Sequence, residues 1–509
     1  MSESEEDLRQ YLPSGFGKQT LTYDFEEQYE KCKRQEYIDM LAQKGDKKKA
    51  GSSSDDDDDE DDDDDELYEL PISHEIILKE HNKTVSALDV DSAGVRVASG
   101  SYDYNMDLWD FNGMNLASLH PFRIVEPVES HPIHDVQYSR NGEWLLVIPS
   151  SSQAKLFTRD GVEESEYVRG DMYLRDMNNT DGHVAELTAG AWHPTNDDLF
   201  ATSSLDSTIR IWDANIKRSQ RHVIVVKSRA AKGSGKTRVS SIAWTPDGKY
   251  IAGATTDGGL AYWSSSGPYN RPVASIQDAH EKESWTSGLV YGSDNNTLLT
   301  RGGDGTIKLW DVRNFKKALL SRSGLENTVQ ETNISLSPNG RWIITGTSST
   351  PESPVGQLHV IDKSDLSTIT KLTLDASKPS SVVKTLWHPK LNQIIATTSS
   401  GDIHVLFSRE LSAKGAKVVV EKPPKVRHVD DNVTADIDLT AAAITPEMMS
   451  GRHREESRLT NQQRQKMARK DPLKSRRPDL PLARRMDGEV RVFNFDAEDK
   501  ETLNKRRKI

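Results

Sequence analysis

At 509 residues with a net charge of −13, the chain is long enough for one large repeat domain flanked by tails. Its apolar fraction of 35% is low for a chain packed throughout, so part of it is expected to lie outside any core. The single cysteine, Cys32, excludes an intrachain disulfide and a cysteine-built metal site, and no apolar run approaches the ~18 residues of a membrane span, so no membrane partner is expected.

Residues 1–70 form an acidic tail, with 24 Asp and Glu against nine Lys and Arg. Apolar spacing over Tyr23 to Gln43 predicts a short helix, which would be marginal alone in water and is expected to fold on a partner. Residues 55–66, DDDDDEDDDDDE, repel one another and cannot build a core, so they are predicted to be disordered. The run can be interpreted as a mimic of nucleic acid, a holder of basic segments or a solubilising spacer.

Residues 71–412 carry a repeated all-β pattern in which short Val-, Ile-, Thr- and Trp-rich runs alternate with polar turns. In four copies an aspartate precedes a tryptophan by six residues, in the pairs Asp103–Trp109, Asp206–Trp212, Asp257–Trp263 and Asp304–Trp310. Phe157, Ile361 and Leu406 take the tryptophan position in three degenerate copies. Seven copies at intervals of 45 to 55 residues predict a ring of seven blades.

This pattern resembles the WD-repeat β-propeller family, which implies an all-β, seven-bladed propeller with disordered or partner-ordered tails. The strand HEIILKE at 74–80 would complete the last blade, but KVVVEK at 417–422 competes for the same edge, and both interpretations stay open. In that family a histidine joins Asp, Ser or Thr, and Trp in a buried hydrogen-bond network. The resemblance assigns this structural role to His81, Asp103, Trp109, His183, Ser203, Asp206, Trp212, Asp257, Trp263, His280, Asp304 and Trp310.

Signs of catalysis are weak. The loop SRAAKGSGKTRVS at 228–240 ends like a phosphate-binding loop, but Ala230 stands where that pattern requires glycine, and the run that follows is a strand instead of a helix. No nucleophile elbow, zinc-protease motif or Cys–His pair occurs in the sequence. We therefore expect a protein that is not an enzyme, with no cofactor and no small-molecule substrate.

The segment around Trp310 resembles the box by which WD-repeat substrate receptors dock onto the damaged-DNA-binding adaptor of cullin-4 ubiquitin ligases. Trp310, Asp311 and Arg313 fit its W-D-x-R end, whereas Arg301 stands where a small residue is expected. No other tryptophan blade has an arginine at the position of Arg313. An arginine at a strand end can make planar, multidentate contacts, so docking is one interpretation and an ordinary turn residue is the other.

Residues 413–509 form a basic tail, and its segment 451–509 has 18 Lys and Arg against ten Asp and Glu. Two clusters have the composition of nuclear-import signals and could equally contact RNA or chromatin phosphates. These residues are Arg476, Arg477, Arg484, Arg485, Lys505, Arg506, Arg507 and Lys508. The expected location is the nucleus.

Four stretches are similar to the gastrulation-defective protein 1 family, also called the WD repeat-containing protein 70 family. They are GFGKQTLTYDFEEQYEKCKR (15–34), EHNKTVSALDVDSAGVRVASGSYDYNMDLWDFNGM (80–114), YVRGDMYLRDMNNTDGHVAELTAGAWHP (167–194) and ARKDPLKSRRPDLP (468–481). The resemblance implies a nuclear interaction scaffold whose partners are protein complexes. It implies either a substrate receptor of a cullin-4 ligase in the DNA-damage response or a component of a spliceosomal ribonucleoprotein in pre-mRNA splicing.

Overall fold

A computed structural model describes residues 24–39 and 70–424, apart from 175, 228–236, 283, 352, 376 and 377. Within these residues, 28 strands form seven four-stranded antiparallel sheets. The predicted all-β, seven-bladed propeller is therefore confirmed. The acidic run 55–66 and the two basic clusters of the C-terminal tail lie outside the described residues.

Helix α1 (Phe25–Cys32) and strand β1 (His74–Lys79) precede the blades, and each of the first three blades uses four consecutive strands. Blade 1 contains β2 (Val85–Val90), β3 (Arg96–Ser101), β4 (Met106–Asp110) and β5 (Arg123–Val125). Blade 2 contains β6 (Ile133–Tyr138), β7 (Trp144–Pro149), β8 (Lys155–Thr158) and β9 (Glu163–Glu166). Blade 3 contains β10 (Leu187–Trp192), β11 (Leu199–Ser204), β12 (Thr208–Asp213) and β13 (His222–Val225).

Blades 4 to 6 repeat this order, and blade 7 combines three late strands with β1. Blade 4 contains β14 (Val239–Trp244), β15 (Tyr250–Thr255), β16 (Leu260–Ser264) and β17 (Ala274–Ile276). Blade 5 contains β18 (Thr286–Tyr291), β19 (Thr297–Gly302), β20 (Ile307–Asp311) and β21 (Leu320–Arg322). Blade 6 contains β22 (Ile334–Leu336), β23 (Trp342–Gly346), β24 (Gln357–Asp362) and β25 (Thr368–Thr373). Blade 7 contains β26 (Val382–His388), β27 (Gln393–Thr398) and β28 (Asp402–Phe407) beside β1.

The core consists of apolar clusters between neighbouring blades, and both faces of each sheet contribute to them. On β4, Trp109 packs into the cluster shared with blade 7, whereas Leu108 packs into the cluster shared with blade 2. Successive side chains of a strand point to opposite faces, so one strand can serve two interfaces. Within the described residues, each pair of adjacent blades shares one such cluster, and the first strands of the blades line the centre of the ring.

The ring is closed by β1, which pairs antiparallel with β28 from His74↔Phe407 to Lys79↔Asp402. This pairing decides between the two candidate closing strands. The competing run is instead part of helix α2 (Ala416–Glu421), in which Val419 and Val420 are buried. Because β1 already occupies the sheet edge, this β-branched run packs as a helix into the cluster shared by blades 7 and 1, and tertiary contacts override its strand propensity.

The predicted N-terminal helix is broken, and its partner is the chain's own propeller. Helix α1 begins after Asp24, whose carboxylate accepts a hydrogen bond from the N–H of Glu26, and ends at Cys32; residues 35–39 are helical again. Tyr29 of α1 is 4% exposed and packs into the cluster shared by blades 7 and 1. Residues 24–39 therefore pack on the chain's own propeller, and residues of α2, after position 412, belong to the same cluster as Tyr29.

Candidate functional site

Three blades contain a continuous hydrogen-bond chain from a tryptophan to an aspartate. In blade 1, the Trp109 indole N–H donates to Ser99 Oγ over 3.0 Å, and Ser99 Oγ lies 2.9 Å from His81 Nε2. The other imidazole nitrogen, Nδ1, lies 3.0 Å from Asp103 Oδ2. Blades 3 and 5 repeat these contacts with His183, Asp206 and Trp212 and with His280, Asp304 and Trp310.

The chain in blade 3 is satisfied by a neutral imidazole. Thr202 Oγ1 accepts from the Trp212 indole N–H over 2.8 Å and donates to His183 Nε2 over 2.7 Å, so the ring proton is on Nδ1 and points to Asp206. Burial lowers the pKa of His183, in agreement with this neutral form. Burial alone would raise the pKa of Asp206, but His183 and the neighbouring donors hold it well below its usual range.

The assignment of Ser203 to this network was wrong by one residue. Strand side chains alternate, so Thr202 faces His183 whereas Ser203 points the other way. The Ser203 hydroxyl lies 2.8 Å from Thr188 Oγ1 and bonds the carbonyl of Ala189 at 3.3 Å. The hydroxyl that joins the network lies ten residues before the tryptophan in all three blades, and this spacing could have identified it from the sequence.

Blade 4 does not assemble the network among the residues that the structure describes, so the assignment of Asp257 and Trp263 to it was wrong. The position ten residues before Trp263 is Gly253, which has no hydroxyl. A Cβ at Gly253 would lie 2.7 Å from Cδ1 of Ile209, so the neighbouring blade occupies this space. Asp257 instead accepts a hydrogen bond from Thr255 within its own turn.

The predicted docking residues lie at the end of β20, where a buried anchor meets an exposed cation. Trp310 is 3% exposed, whereas Arg313 is exposed. Asp311 Oδ1 accepts from the Arg313 backbone N–H over 2.9 Å, and Asn296 Oδ1 accepts from Arg313 Nε over 2.9 Å. Two neighbouring turns therefore fix the direction in which this arginine leaves the blade.

Arg301, which departs from the docking pattern, has a separate structural role. It is fully buried on β19, and its Nη2 donates to the carbonyl of Gly346 in blade 6 over 2.7 Å. Burial lowers the pKa of Arg301 to about 10. Arg301 connects blade 5 to blade 6 at the end of the β19–β20 ladder away from Arg313. It therefore does not contribute to the surface around Arg313.

The central cavity, with a volume of about 620 Å³, contains a polar cluster that no sequence motif predicted. The Tyr102 hydroxyl donates to Glu331 Oε1 over 2.5 Å. His134 lies between two carboxylates, with Nδ1 3.2 Å from Glu331 Oε1 and Nε2 2.9 Å from Glu186 Oε1. Burial alone would lower the pKa of His134, but the two glutamates raise it to about 9, so the ring is an imidazolium at neutral pH.

The described residues offer structural networks and interaction surfaces. No group of three or more His, Cys, Asp and Glu side chains is arranged there to hold a metal ion. None of the helices in the described part has the length and apolar character needed to cross a bilayer. Most of the loop that resembled a phosphate-binding loop lies outside this part, and β14 follows it as the predicted strand.

Seven four-stranded blades with a His–Asp–Trp chain in three of them define a WD-repeat β-propeller, a class of protein-interaction scaffold. Sequence comparison agrees: the WD domain, G-beta repeat family matches residues 73–110, 176–213, 227–264 and 271–311.

The chain belongs to the gastrulation-defective protein 1 family, also known as the WD repeat-containing protein 70 family. It is 36% identical over 421 residues to the gastrulation defective protein 1 homolog of Drosophila melanogaster, covering 83% of this chain and 62% of that protein. It is 39% identical over 415 residues to WD repeat-containing protein 70 of Xenopus laevis, covering 82% of this chain and 64% of that protein. An uncharacterised WD repeat-containing protein of Schizosaccharomyces pombe is 33% identical over 452 residues, covering 83% of this chain and 78% of that protein. The chain spans slightly less than two thirds of the length of the first two relatives.

Proposed function

We propose that this chain is a nuclear, non-enzymatic scaffold that acts as a substrate receptor of a cullin-4 ubiquitin ligase in the DNA-damage response. The observation that carries the proposal is the exposed Arg313, held at the end of β20 beside the buried Trp310. A docking arginine must project from the propeller while its backbone stays fixed. Arg313 is exposed, and its bonds to Asp311 and Asn296 hold it at the end of β20.

Within the blade, the Arg313 guanidinium is hydrogen-bonded through its Nε. Asn296 binds its Nε, and within the described residues no hydrogen bond from its two terminal amino groups is seen. Asp311 binds the backbone N–H, so its carboxylate fixes the turn and does not pair with the guanidinium. The terminal amino groups therefore remain suitable for a planar, multidentate contact with an adaptor.

The proposal predicts that Arg313→Ala lowers recovery of the damaged-DNA-binding adaptor at least tenfold when the full chain is used as bait. Arg313→Lys should restore little, because a lysine ammonium lacks the planar fork. Lys316→Ala is the matched control, since it removes an exposed cation from the same turn and should bind as the wild type does. Undiminished adaptor recovery by a folded Arg313→Ala chain would exclude docking through this residue.

The alternative function, a component of a spliceosomal ribonucleoprotein, predicts a different set of partners. Affinity purification of the full chain from nuclear and cytoplasmic fractions, with and without RNase, separates the two functions by mass spectrometry. A nuclear, RNase-resistant set headed by the adaptor supports the receptor. A set headed by splicing proteins supports the alternative, and recovery from the cytoplasmic fraction alone contradicts the nuclear location of both.

A further inference from the structure

A pocket of about 200 Å³ opens at the seam between blades 3 and 4. It lies at the same end of the strands as Arg313 of blade 5, because both sites are built where third strands end and fourth strands begin. Leu199, Ile211 and Trp244 provide its apolar surface, and Ile211 and Trp244 are 3% and 8% exposed. Since an apolar cavity of about 150 Å³ accepts benzene, this pocket has room for one aromatic side chain.

Two imidazoles provide further aromatic surface. His193 meets the Trp244 ring edge-on at 4.8 Å, and its Nε2 donates to the carbonyl of Gly248 over 3.2 Å. His222 packs on the Tyr269 ring at 4.6 Å and thereby joins the two blades. Burial lowers the pKa of both histidines, and Arg221 adds to this effect at His222, so both rings are neutral at pH 7.

The turns beside the pocket carry positive charge. The two turns between third and fourth strands, residues 214–221 and 265–273, contain four exposed basic residues and no acidic residue: Lys217, Arg218, Arg221 and Arg271. Ile216 and Val273 lie on the same turns and are 45% and 56% exposed. Three acids lie at the end of β12 and in the turn 193–198: Asp213 pairs with Arg221, Asp198 accepts from Asn215, and Asp197 is exposed.

We propose that this pocket docks a protein segment in which one aromatic side chain is flanked by acidic residues. The aromatic ring would pack against Trp244 and His193, and the carboxylates would lie over Arg218 and Arg271. Ile216 and Val273 would cover the aliphatic parts of the segment. This occupant uses the apolar surface, the neutral rings and the basic turns together.

A single-stranded nucleic acid is the competing occupant of a basic, aromatic surface. Such strands are bound by grooves with successive stacking platforms. Here the pocket has room for a single ring and lies between turns with exposed aliphatic side chains. The geometry therefore favours a peptide with one anchor residue.

The test measures fluorescence anisotropy of the full chain with a labelled probe peptide, Gly-Glu-Asp-Phe-Asp-Glu-Gly. The matched peptide has alanine in place of phenylalanine, and a 12-nucleotide oligouridylate represents nucleic acid. We expect the phenylalanine peptide to bind at least tenfold more tightly than the alanine peptide, because only the former buries an aromatic ring. Equal binding of the two peptides, or displacement of the phenylalanine peptide by equimolar oligouridylate, would overturn the proposal.

Two variants separate the pocket from the charge around it. Ser265→Leu fills the pocket and should weaken phenylalanine-peptide binding at least tenfold, whereas Ser293→Leu, in an exposed blade 5 turn, should stay within twofold of the wild type. The double variant Arg218→Glu, Arg271→Glu leaves the pocket intact and should weaken binding severalfold at low salt and less at high salt. Wild-type affinity in a folded Ser265→Leu chain would contradict the proposal. The probe contains no adaptor, so this result does not depend on docking through Arg313.

Discussion

At the scale of single residues, one hydroxyl in each of blades 1, 3 and 5 decides whether a buried tryptophan and histidine are both satisfied. Ser99, Thr202 and Thr300 each accept from an indole N–H, and each hydroxyl lies within 2.9 Å of an imidazole nitrogen. A buried polar group without a partner keeps the full cost of its desolvation. The hydroxyl therefore contributes more to the fold than its small size suggests.

Thr202→Val is therefore expected to destabilise the propeller by about 1–3 kcal/mol, because valine keeps the shape but leaves the Trp212 N–H and His183 Nε2 without a partner. Urea denaturation followed by tryptophan fluorescence measures the change. A loss below about 0.5 kcal/mol would show that the chain of hydrogen bonds is not a stabilising unit.

The neighbouring hydroxyl provides the matched control for this prediction. Ser203→Ala removes neutral hydrogen bonds to Thr188 and Ala189 and should also cost stability. Only Thr202→Val, however, should couple to Trp212→Phe in a double-mutant cycle, by about 0.5–3 kcal/mol. Equal coupling of Ser203 to Trp212 would favour the original assignment from the sequence.

At the scale of elements, residues 24–39 connect the outer strands of blades 6 and 7. Arg34 is 6% exposed, its Nη2 donates to the Thr373 carbonyl at the end of β25 over 2.7 Å, and its Nη1 lies 3.2 Å from Glu75 of β1. The Tyr29 hydroxyl donates to Glu421 of α2 over 2.8 Å. The segment thus holds the outer strands of two blades and α2, next to the strand that closes the ring.

Tyr29→Ala is therefore expected to loosen the closing strand selectively. The variant removes a buried ring that packs on the Phe407 and Arg409 side chains, at a cost of about 3 kcal/mol. Hydrogen–deuterium exchange should accelerate in β1 and β28 and stay within about threefold of the wild type in β19 of blade 5. Phe25→Ala serves as control, since Phe25 is 46% exposed; an equal acceleration there would contradict the assigned role of Tyr29.

The sequence predicted those elements that repeat, and it failed where an element occurs once. Residues 109, 157, 212, 263, 310, 361 and 406 all lie on third strands, because the same turn and strand pattern recurs in every blade. Helix α2 occurs once, and its Val-rich run has no local signal against a strand. The helix of the N-terminal segment is likewise interrupted at Lys33 and Arg34, where the backbone contacts Ser73 and His74. The spacing of apolar residues along the segment gives no sign of these tertiary contacts.

At the scale of the whole molecule, the cluster around His134 joins four blades across the central cavity. Tyr102, His134, Glu186 and Glu331 come from blade 1, blade 2 and the turns that lead into blades 3 and 6. Tyr102 and His134 are 229 and 197 residues from Glu331. Among the described residues, none of these contacts recurs from blade to blade. The repeats therefore predict the ring that brings the four side chains together, but they do not predict the contacts themselves.

The cluster predicts a pH-dependent contribution to the stability of the ring. The folded-state pKa of His134 is raised to about 9, above an unfolded value near 6.5. A raised pKa gives stability that is fully present below pH ~6.5 and is lost as the pH rises through ~9. The pKa values of Glu186 and Glu331 are lowered, so both carboxylates remain ionised over this range. The charge on the His134 imidazolium contributes at most on the order of 3 kcal/mol to the free energy of unfolding.

His134→Gln tests this contribution, because glutamine can donate a hydrogen bond but cannot carry the charge. Urea denaturation of the wild type and the variant should show a stability difference that is largest near pH 6 and shrinks steadily between pH ~6.5 and ~9.5. Comparing the two chains at each pH cancels the other titrating groups. His120→Gln is the matched control, since the His120 side chain is 72% exposed beside Glu80 and should give a difference near zero throughout. A pH-independent difference for His134→Gln would mean that His134 packs in the cavity without its charge, and that hydrogen bonds alone join the four blades.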